Sequence, residues 1–589
     1  MRAMGRAAAG SVIGAGLGAW IAPMIRPWFR VPDAGVGMIT VNGYPKGWDY
    51  AVVVLLVLGA FLGGAIASWT ARSEEAATEL APRRLSLQLT TAAVVFVLMY
   101  VMHDHPHAPM DAFHEGEHLT AGWLLESGER PYRDFYIFHG LAVDAGLDAL
   151  VFGDPPSPLH PRRLQTVLDA ATVALLVPIA AEVTVTAAGF FGGLLLSLCA
   201  CAALWLPVFP YFRLAPLLLA VWGLLRYVRG GRAAPLFAAF AASTLGILWS
   251  LDVGLYAVAG TVGLFVLLRL FALEAKPLPW LRALALAVLA LALPLLVLLA
   301  VRADLTRFFV DSFVVMPRAI DPVWALPAPD PRSANGIRYF LPLVFYGFAL
   351  AIALFAWRRG EKRTAARIAI VIVFSLLLFR TAAGRVSWSH TRFAMPLLGI
   401  AFVAFVLEPL WRHRGALRIA VAALLVVGAF VYFEVRENVV AGTKLAANWR
   451  SRQSTAGLVP YPTPGGKGAF TDPRNAADLA ALQATIDALG PKDATIFDFS
   501  NERALYYLLQ RKAPTRVLEV SMMSVPSVLA ETMAELNANP PVAVIVRGDP
   551  NIAVFDGVDN RTRVPDLAAW IDANYPKRID VGRFTVAAR

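Results

Sequence analysis

Between residues 103 and 140 the chain reads HDHPHAPMDAFHEGEHLTAGWLLESGERPYRDFYIFHG. Six of the nine histidines lie in this stretch, among the carboxylates Asp104, Asp111, Glu115, Glu117, Glu126, Glu129 and Asp134. Imidazoles and carboxylates are the side chains that take up and release protons near neutral pH. A second group is cationic: residues 380–392 read RTAAGRVSWSHTR and carry Arg380, Arg385, His390 and Arg392. Acids and bases in one stretch and cations in another could deprotonate a nucleophile and stabilise an anionic leaving group. A merely polar connection between apolar helices is the plainer alternative, so the question is whether the groups converge in space.

The elements that must position them are membrane helices. The chain is 58% hydrophobic and only 16% charged, with a mean hydropathy of +0.58, which excludes an ordinary soluble globular protein. Many windows reach the ~20 apolar residues needed to cross ~30 Å of hydrocarbon. The spans fall roughly at residues 1–25, 50–69, 87–102, 164–185, 187–206, 212–227, 233–249, 253–271, 283–301, 340–357, 368–379, 393–410 and 419–433. This describes a polytopic α-helical membrane protein of about 13 transmembrane helices.

Alternate connections hold the basic clusters Arg72/Arg83/Arg84, Arg226/Arg229/Arg232, Lys276/Arg282, Arg358/Arg359/Lys362/Arg363 and Arg412/Arg414/Arg418. The positive-inside rule puts these in the cytoplasm, the N-terminus with them, and the 103–163 loop and the C-terminus outside. The formal net charge of +11 therefore reads as topology, with no nucleic-acid partner. Arg380, Arg385, His390 and Arg392 run against this bias, and binding a phosphate is the simplest reason for cations on the outer side. Cys199 and Cys201 lie two apart in one apolar run and read as small helix residues.

After residue 433 the composition becomes that of a soluble domain. Helical spacing at 472–489, 502–510 and 526–537 alternates with strand-like ATIFDF (494–499) and PVAVIVR (541–547), which predicts a small extracytoplasmic α/β domain over 434–589. Residues 438–467 read as a Gly/Pro/Thr-rich connection.

Residues 114–118, HEGEH, match H-E-x-x-H, which on a helix sets His114 and His118 on one face to hold zinc. Gly116 in mid-motif disfavours the helix by roughly 1 kcal/mol. A membrane zinc metallopeptidase is thus one alternative function. A lipid or polysaccharide transporter is another, although no internal repeat marks two halves, and a polysaccharide polymerase or ligase would share the basic outer loops.

The wider stretch MDAFHEGEHLTAGWLLESGERPYRDFYIFHG resembles the first outer loop of the GT-C glycosyltransferases, the membrane superfamily of the protein mannosyltransferases and aminoarabinose transferases. In these an acidic D-E-type motif follows a membrane helix, then come an amphipathic helix, S-G and a Pro/aromatic segment. Here His114–Glu115 stands where D-E would be, followed by Glu117, Ser127–Gly128 and Pro131–Tyr132–Arg133–Asp134. The family's aspartate position is a histidine, with Asp111 three residues upstream, so the base among Asp111, Glu115 and Glu117 stays open.

The resemblance spans about three quarters of the chain and implies a GT-C-like catalytic domain over 1–433 with 103–163 as catalytic outer loop. It implies an inverting transfer of a sugar from a polyprenyl-phosphate donor to a glycan, lipid or protein acceptor, with membrane lipid as a further partner. The site is a bacterial inner membrane, with the C-terminal domain periplasmic or extracellular. Asp111, Glu115 and Glu117 are the catalytic candidates. Arg380, Arg385, His390, Arg392 and Arg133 are the candidates for the donor phosphate, and His114, Tyr132, Asp134, His139 and Asp252 for other substrate contacts. Asp252 could instead cap its helix. No cofactor follows with certainty, and a divalent metal ion among the carboxylates stays open.

Overall fold

The computed structural model describes residues 2–29, 46–69, 85–153, 156–202, 210–274, 276–319, 323, 325–411, 416–549, 554–555 and 557–589. Among them nine helices are long and apolar enough to cross a membrane, from Met4–Phe29 to Lys362–Gly384, or ten if the bent pair Ile419–Tyr432 and Val435–Ala447 is one span. Three further apolar helices, Ala187–Cys201, Ala233–Trp249 and Pro396–Trp411, are shorter. The chain is a polytopic helical membrane protein, with fewer full-length spans than the thirteen expected. Apolar runs in the sequence mark burial in lipid or in the bundle alike, and short helices packed inside the bundle leave the same trace.

One helix measures the thickness of the membrane domain. Leu159–Val183 carries Arg162 near its start, paired with Glu115, and Glu182 at its end, paired with Arg226 and Arg229. Twenty residues of helix span ~30 Å, the thickness of the hydrocarbon layer. The acidic stretch and the Arg226/Arg229 cluster therefore occupy opposite faces. Arg358 follows Trp357, whose indole donates to the carbonyl of Phe271 at 3.0 Å, and Lys276 lies against Gly231, so these basic connections gather on the second face. Arg72, Arg83, Arg84, Arg412 and Arg414 lie outside the described residues.

The chain beyond residue 433 begins as a helix. Val435–Ala447 bends by 49° from Ile419–Tyr432 and packs on the membrane helices Leu85–His103 and Ala187–Ala202. The 438–467 connection expected from its small residues is thus helical in its first part, because Val435, Asn438 and Gly442 form a buried stripe.

The α/β portion follows. Strands Ile496–Asp498 and Ala543–Arg547 pair in parallel, and Ala543–Arg547 pairs antiparallel with Phe584–Ala588, which forms a hairpin with Lys577–Val581. Helices Pro473–Leu489, Pro526–Ala538 and Pro565–Asn574 flank this four-stranded sheet. Asp472 accepts from the amide of Asn475 at 2.9 Å and Pro473 opens the first of these helices, the expected start signal. The terminal hairpin was not foreseen, because KRIDV alternates only weakly in polarity.

This portion sits on the same face as the acidic stretch: Lys512 Nζ pairs with Glu129 Oε1 and the amide of Ala504 donates to the carbonyl of Ala112 at 2.9 Å. Single cysteines at 129 and 512, introduced together, are expected to form a cross-link with a short bifunctional maleimide, and each alone to be labelled from the same side of sealed vesicles. Labelling from opposite sides would contradict the arrangement.

Candidate functional site

The loop helix His114–Glu126 is held on both flanks by arginines from elsewhere in the chain. On one flank Arg162 grips Glu115 with two nitrogens, Nε to Oε2 at 2.8 Å and Nη2 to Oε1 at 3.0 Å. The same guanidinium donates to the carbonyls of Pro106 and Ala108, so it fixes the path into the helix as well. On the other flank Arg503, from the C-terminal portion, pairs with Glu117 and with Glu519 and lies 4.3 Å from the centre of the Phe113 ring. A guanidinium this deeply buried needs compensation; two carboxylates and an aromatic face supply most of it, and its Nε has no hydrogen-bond partner among the described residues.

Gly116 is explained by the same contact. A Cβ there would collide with the amide nitrogen of Ala504 and the carbonyl carbon of Arg503. Thr120 Oγ1, one turn on, donates to the Arg503 carbonyl at 2.8 Å. The glycine that disfavours the helix locally lets a second backbone approach it.

At the helix start, Asp111 Oδ1 accepts from the amides of Phe113 (3.1 Å) and His114 (3.0 Å), and Oδ2 meets His114 Nδ1 at 2.8 Å. Both side chains keep 30% of their surface exposed. Burial pushes the Asp111 carboxyl up, but the hydrogen bonds and charge of His114, with the two amides, outweigh it and leave the carboxyl below its ordinary value. Of the three candidate carboxylates, Glu115 and Glu117 are thus committed to arginines, and Asp111 to an imidazole.

The end of the stretch folds back on the same helix. Residues Ala142–Gly146 make a wide π-turn that aims Asp144 at the amides of Phe138 (2.7 Å) and His139 (2.6 Å). His139 Nδ1 lies 3.2 Å from Asp144 and 3.5 Å from Glu117. Burial lowers the His139 pKa, and these two carboxylates reverse the effect and raise it. A Cβ on Gly140, at φ +149°, would come within about 3 Å of the carbonyl oxygens of Leu248 and Trp249, and this close approach seats His139 against the start of the helix Leu251–Leu270. There Asp252 accepts from Arg213 Nη2 and Ser250 Oγ, both at 2.9 Å. It is an ion-pair partner, and the cap expected of it is not made.

Of the basic segment, His390 comes within electrostatic range of this cluster, with Arg385 close enough to act on it. His390 follows the cap Ser387, whose hydroxyl meets its Nδ1 at 2.7 Å. Burial drives its pKa well down, the cations Arg385 and Arg213 add to this, Asp252 opposes it, and His114 lowers it further. His390 therefore stands within electrostatic reach of Arg385, Arg213, Asp252 and His114 together. Ring contacts join the same regions, His103 to Tyr211 and Tyr211 to Phe393, with centroids 6.2 and 6.4 Å apart.

The remaining candidates lie elsewhere. Arg380 stacks over Tyr50 at 5.1 Å. Arg392 pairs with Glu434. Arg133 is more than half exposed beside Asp134. Tyr132, at φ +66°, is buried against Phe308 and its carbonyl accepts from Arg516. Asp134 accepts from the amide of Arg130. The two HEGEH imidazoles turn to different carboxylates, His114 to Asp111 and His118 to Asp148. Among the described residues no cluster of three or more His, Cys, Asp or Glu is arranged to hold a metal ion. Arg162, Arg213, Arg503 and Asp144 were missed from the sequence, where an isolated arginine 40 to 400 residues from its partner carries no spacing signal.

No protein-family model matches the chain, and no curated protein matches it. Solved structures do. The chain is similar to ArnT from Cupriavidus metallidurans bound to undecaprenyl phosphate, with 15% identity, covering 86% of this chain and 97% of that one, at a TM-score of 0.47. The apo state of the same protein matches at 13% identity, the same coverage and a TM-score of 0.43. The arabinosyltransferase EmbB from Mycobacterium smegmatis matches at 15% identity, covering 70% of this chain and 45% of that one, at a TM-score of 0.35.

Two outcomes are expected from the geometry. Gly116→Ala should lower the thermal midpoint by an amount equivalent to about 1–3 kcal/mol, as overpacking does; an unchanged midpoint would contradict the backbone contact. Burial lowers the His118 pKa, but Asp148, Glu115 and Glu117 together raise it above 6.5. Its ion pair therefore stabilises fully below pH 6.5 and is lost as pH rises through the raised value. The difference in thermal midpoint between the parent protein and His118→Asn should shrink from pH 6 towards alkaline pH, and a difference that grows would contradict the pairing.

Proposed function

We propose that the chain is a GT-C-type glycosyltransferase that moves a sugar from a polyprenyl-phosphate donor to a hydroxyl-bearing acceptor at the outer membrane face. What supports this reading is that His390 lies within electrostatic range of His114, Arg385, Arg213 and Asp252, with His114 paired to Asp111 and Arg213 to Asp252. A proton-accepting pair next to cations is what an inverting transfer from a phosphate requires.

In that transfer the acceptor hydroxyl loses its proton, its oxygen bonds to the anomeric carbon, and the bond from that carbon to the donor phosphate oxygen breaks. The phosphate departs with the electron pair and an added negative charge. Asp111, with its basicity reduced, is better suited to orient His114 through Nδ1 than to take the proton alone. His114 Nε2 then accepts it, with the carboxylate stabilising the imidazolium, the relation found between carboxylate and imidazole in acyl-transfer triads. Arg385 and Arg213 would carry the charge that grows on the leaving phosphate, and the neutral His390 could donate a hydrogen bond to it, so these groups would act most strongly in the transition state. Glu115 and Glu117 hold the loop helix through Arg162 and Arg503. The sidedness of the basic clusters supports an orientation with this face outward.

Transfer from a radiolabelled polyprenyl-phosphate sugar, assayed with the full chain in detergent or vesicles, tests the assignment. Asp111→Asn and His114→Gln should each lower turnover about 10²-fold without loss of expression, as expected when a general base is lost. Arg385→Ala should weaken donor binding and turnover together by the equivalent of roughly 1.5–3 kcal/mol. Full activity in both Asp111→Asn and His114→Gln would remove the pair from the reaction.

A further inference from the structure

Directly after the span Trp280–Ala300 the chain folds into a second, shorter helix. It runs through Leu305–Val310, the wide turn Asp311–Val315 and Met316–Ala319 in succession. Asp304 opens it, its Oδ1 accepting from the amide of Arg307 at 2.9 Å. One side of this helix is fastened to protein. Phe308 packs edge-on against Tyr132 with centroids 5.2 Å apart, and the buried Asp311 pairs with Arg516 of the α/β portion. Ala319 joins the hydrophobic core of that portion, which includes Phe497, Val520 and Tyr575.

The opposite side is apolar and uncovered. Phe309, Val310, Phe313 and Val314 each keep 39–50% of their surface exposed, and the two phenyl rings stack with centroids 5.9 Å apart. Spacings of one, four and five residues set these four side chains in one stripe along the helix. The α/β portion behaves differently: among its described residues from 449 to 589, no large aliphatic or aromatic side chain is exposed. A contiguous apolar stripe outside the bundle therefore marks a surface that meets something other than water.

The place of the helix says what that is. The span before it is mostly unburied, and at its end Leu295, Leu296 and Leu299 face outward, so it lies on the lipid-facing perimeter. The connection turns back on the last turn of this span, with Arg302 at φ +56° and the amide of Ala303 donating to the carbonyl of Leu298 at 2.9 Å. The second helix thus starts where the apolar span stops. Exposed cations flank the stripe, Arg302 before it, Arg307 beside Glu531, and Arg318 after it.

We infer that Leu305–Ala319 is an interfacial helix whose exposed stripe sinks into the lipid leaflet on the side of the acidic stretch. Aromatic and aliphatic side chains on one face, with arginines beside them, are what the boundary between headgroups and acyl chains receives. Anionic headgroups suit the three arginines. The other face is held by Arg516, which also donates to the Tyr132 carbonyl at 3.2 Å and pairs with Glu531. The leaflet thereby fixes the height of the α/β portion over the bundle, separately from the contacts of Arg503. This anchorage is independent of the reaction the chain performs.

Cys199 and Cys201 are buried, so a single introduced cysteine takes a nitroxide spin label selectively. Val310→Cys and Phe313→Cys are labelled in the full chain and placed in vesicles of phosphatidylethanolamine and phosphatidylglycerol. Leu291→Cys, exposed in mid-span, and Asp580→Cys, exposed on the sheet, serve as references for lipid and water. At 310 and 313 the ratio of collisions with oxygen to collisions with a water-soluble nickel chelate should exceed that at 580 by about threefold or more. It should stay below that at 291, as burial only 5–10 Å into the boundary requires. Ratios at both positions equal to that at 580 would put the stripe in water and overturn the anchor. Few collisions with either reagent would put it under protein, whether a second copy or another partner, and would overturn it equally.

Discussion

The burial of Arg503 constrains everything at the face that carries the acidic stretch. A guanidinium without water must be matched by charge and hydrogen bonds or it costs several kcal/mol, and its matches come from two separate parts of the chain. Glu117 and Phe113 belong to the acidic loop and Glu519 to the C-terminal portion. The loop helix is 13 residues long and too short to be stable alone in water. It persists because Arg503 on one flank and Arg162 on the other fasten it between the α/β portion and the membrane bundle. The α/β portion is therefore a wall of the site as well as an appendage to it.

That fastening explains how charges are divided. Two of the three acidic side chains that sequence reasoning put forward as bases are neutralised by arginines, and the third, Asp111, is left at the open end of the helix with His114. His390 lies within electrostatic range of His114 and of Arg385, whereas Arg380 and Arg392 turn to Tyr50 and Glu434. The four basic residues therefore do not act as one group: Arg380, before the end of Lys362–Gly384, and Arg392, after it, are each held by a partner of their own.

Much of this was legible in the amino-acid sequence because membrane burial writes long apolar runs. Most helix positions, the start of Pro473–Leu489 at Asp472 and the strands around 496–498 and 543–547 follow from such patterns. Gly116 was read as a defect in a zinc motif, since nothing local reveals the backbone of residues 503–504 crossing it. Asp252 was read as a substrate contact or a cap, because a short acidic side chain near a helix start suits either; its partner Arg213 lies 39 residues away. The pairing of arginines with carboxylates is a property of the folded chain, and no spacing in the sequence encodes it. The same holds for the helix at Val435–Ala447, whose small residues imitate a linker until its buried stripe is placed against two membrane helices.

The central claim is that the acidic pair and the basic segment together surround a lipid-linked phosphate. Photo-cross-linking with a polyprenyl phosphate carrying a photoreactive group beside its phosphate, followed by peptide mapping, addresses it most directly. The account predicts adducts in both the 103–118 and the 385–395 regions, suppressed together by unlabelled polyprenyl phosphate. Adducts confined to the opposite face, around Arg226 and Arg229, or found in neither region would contradict it.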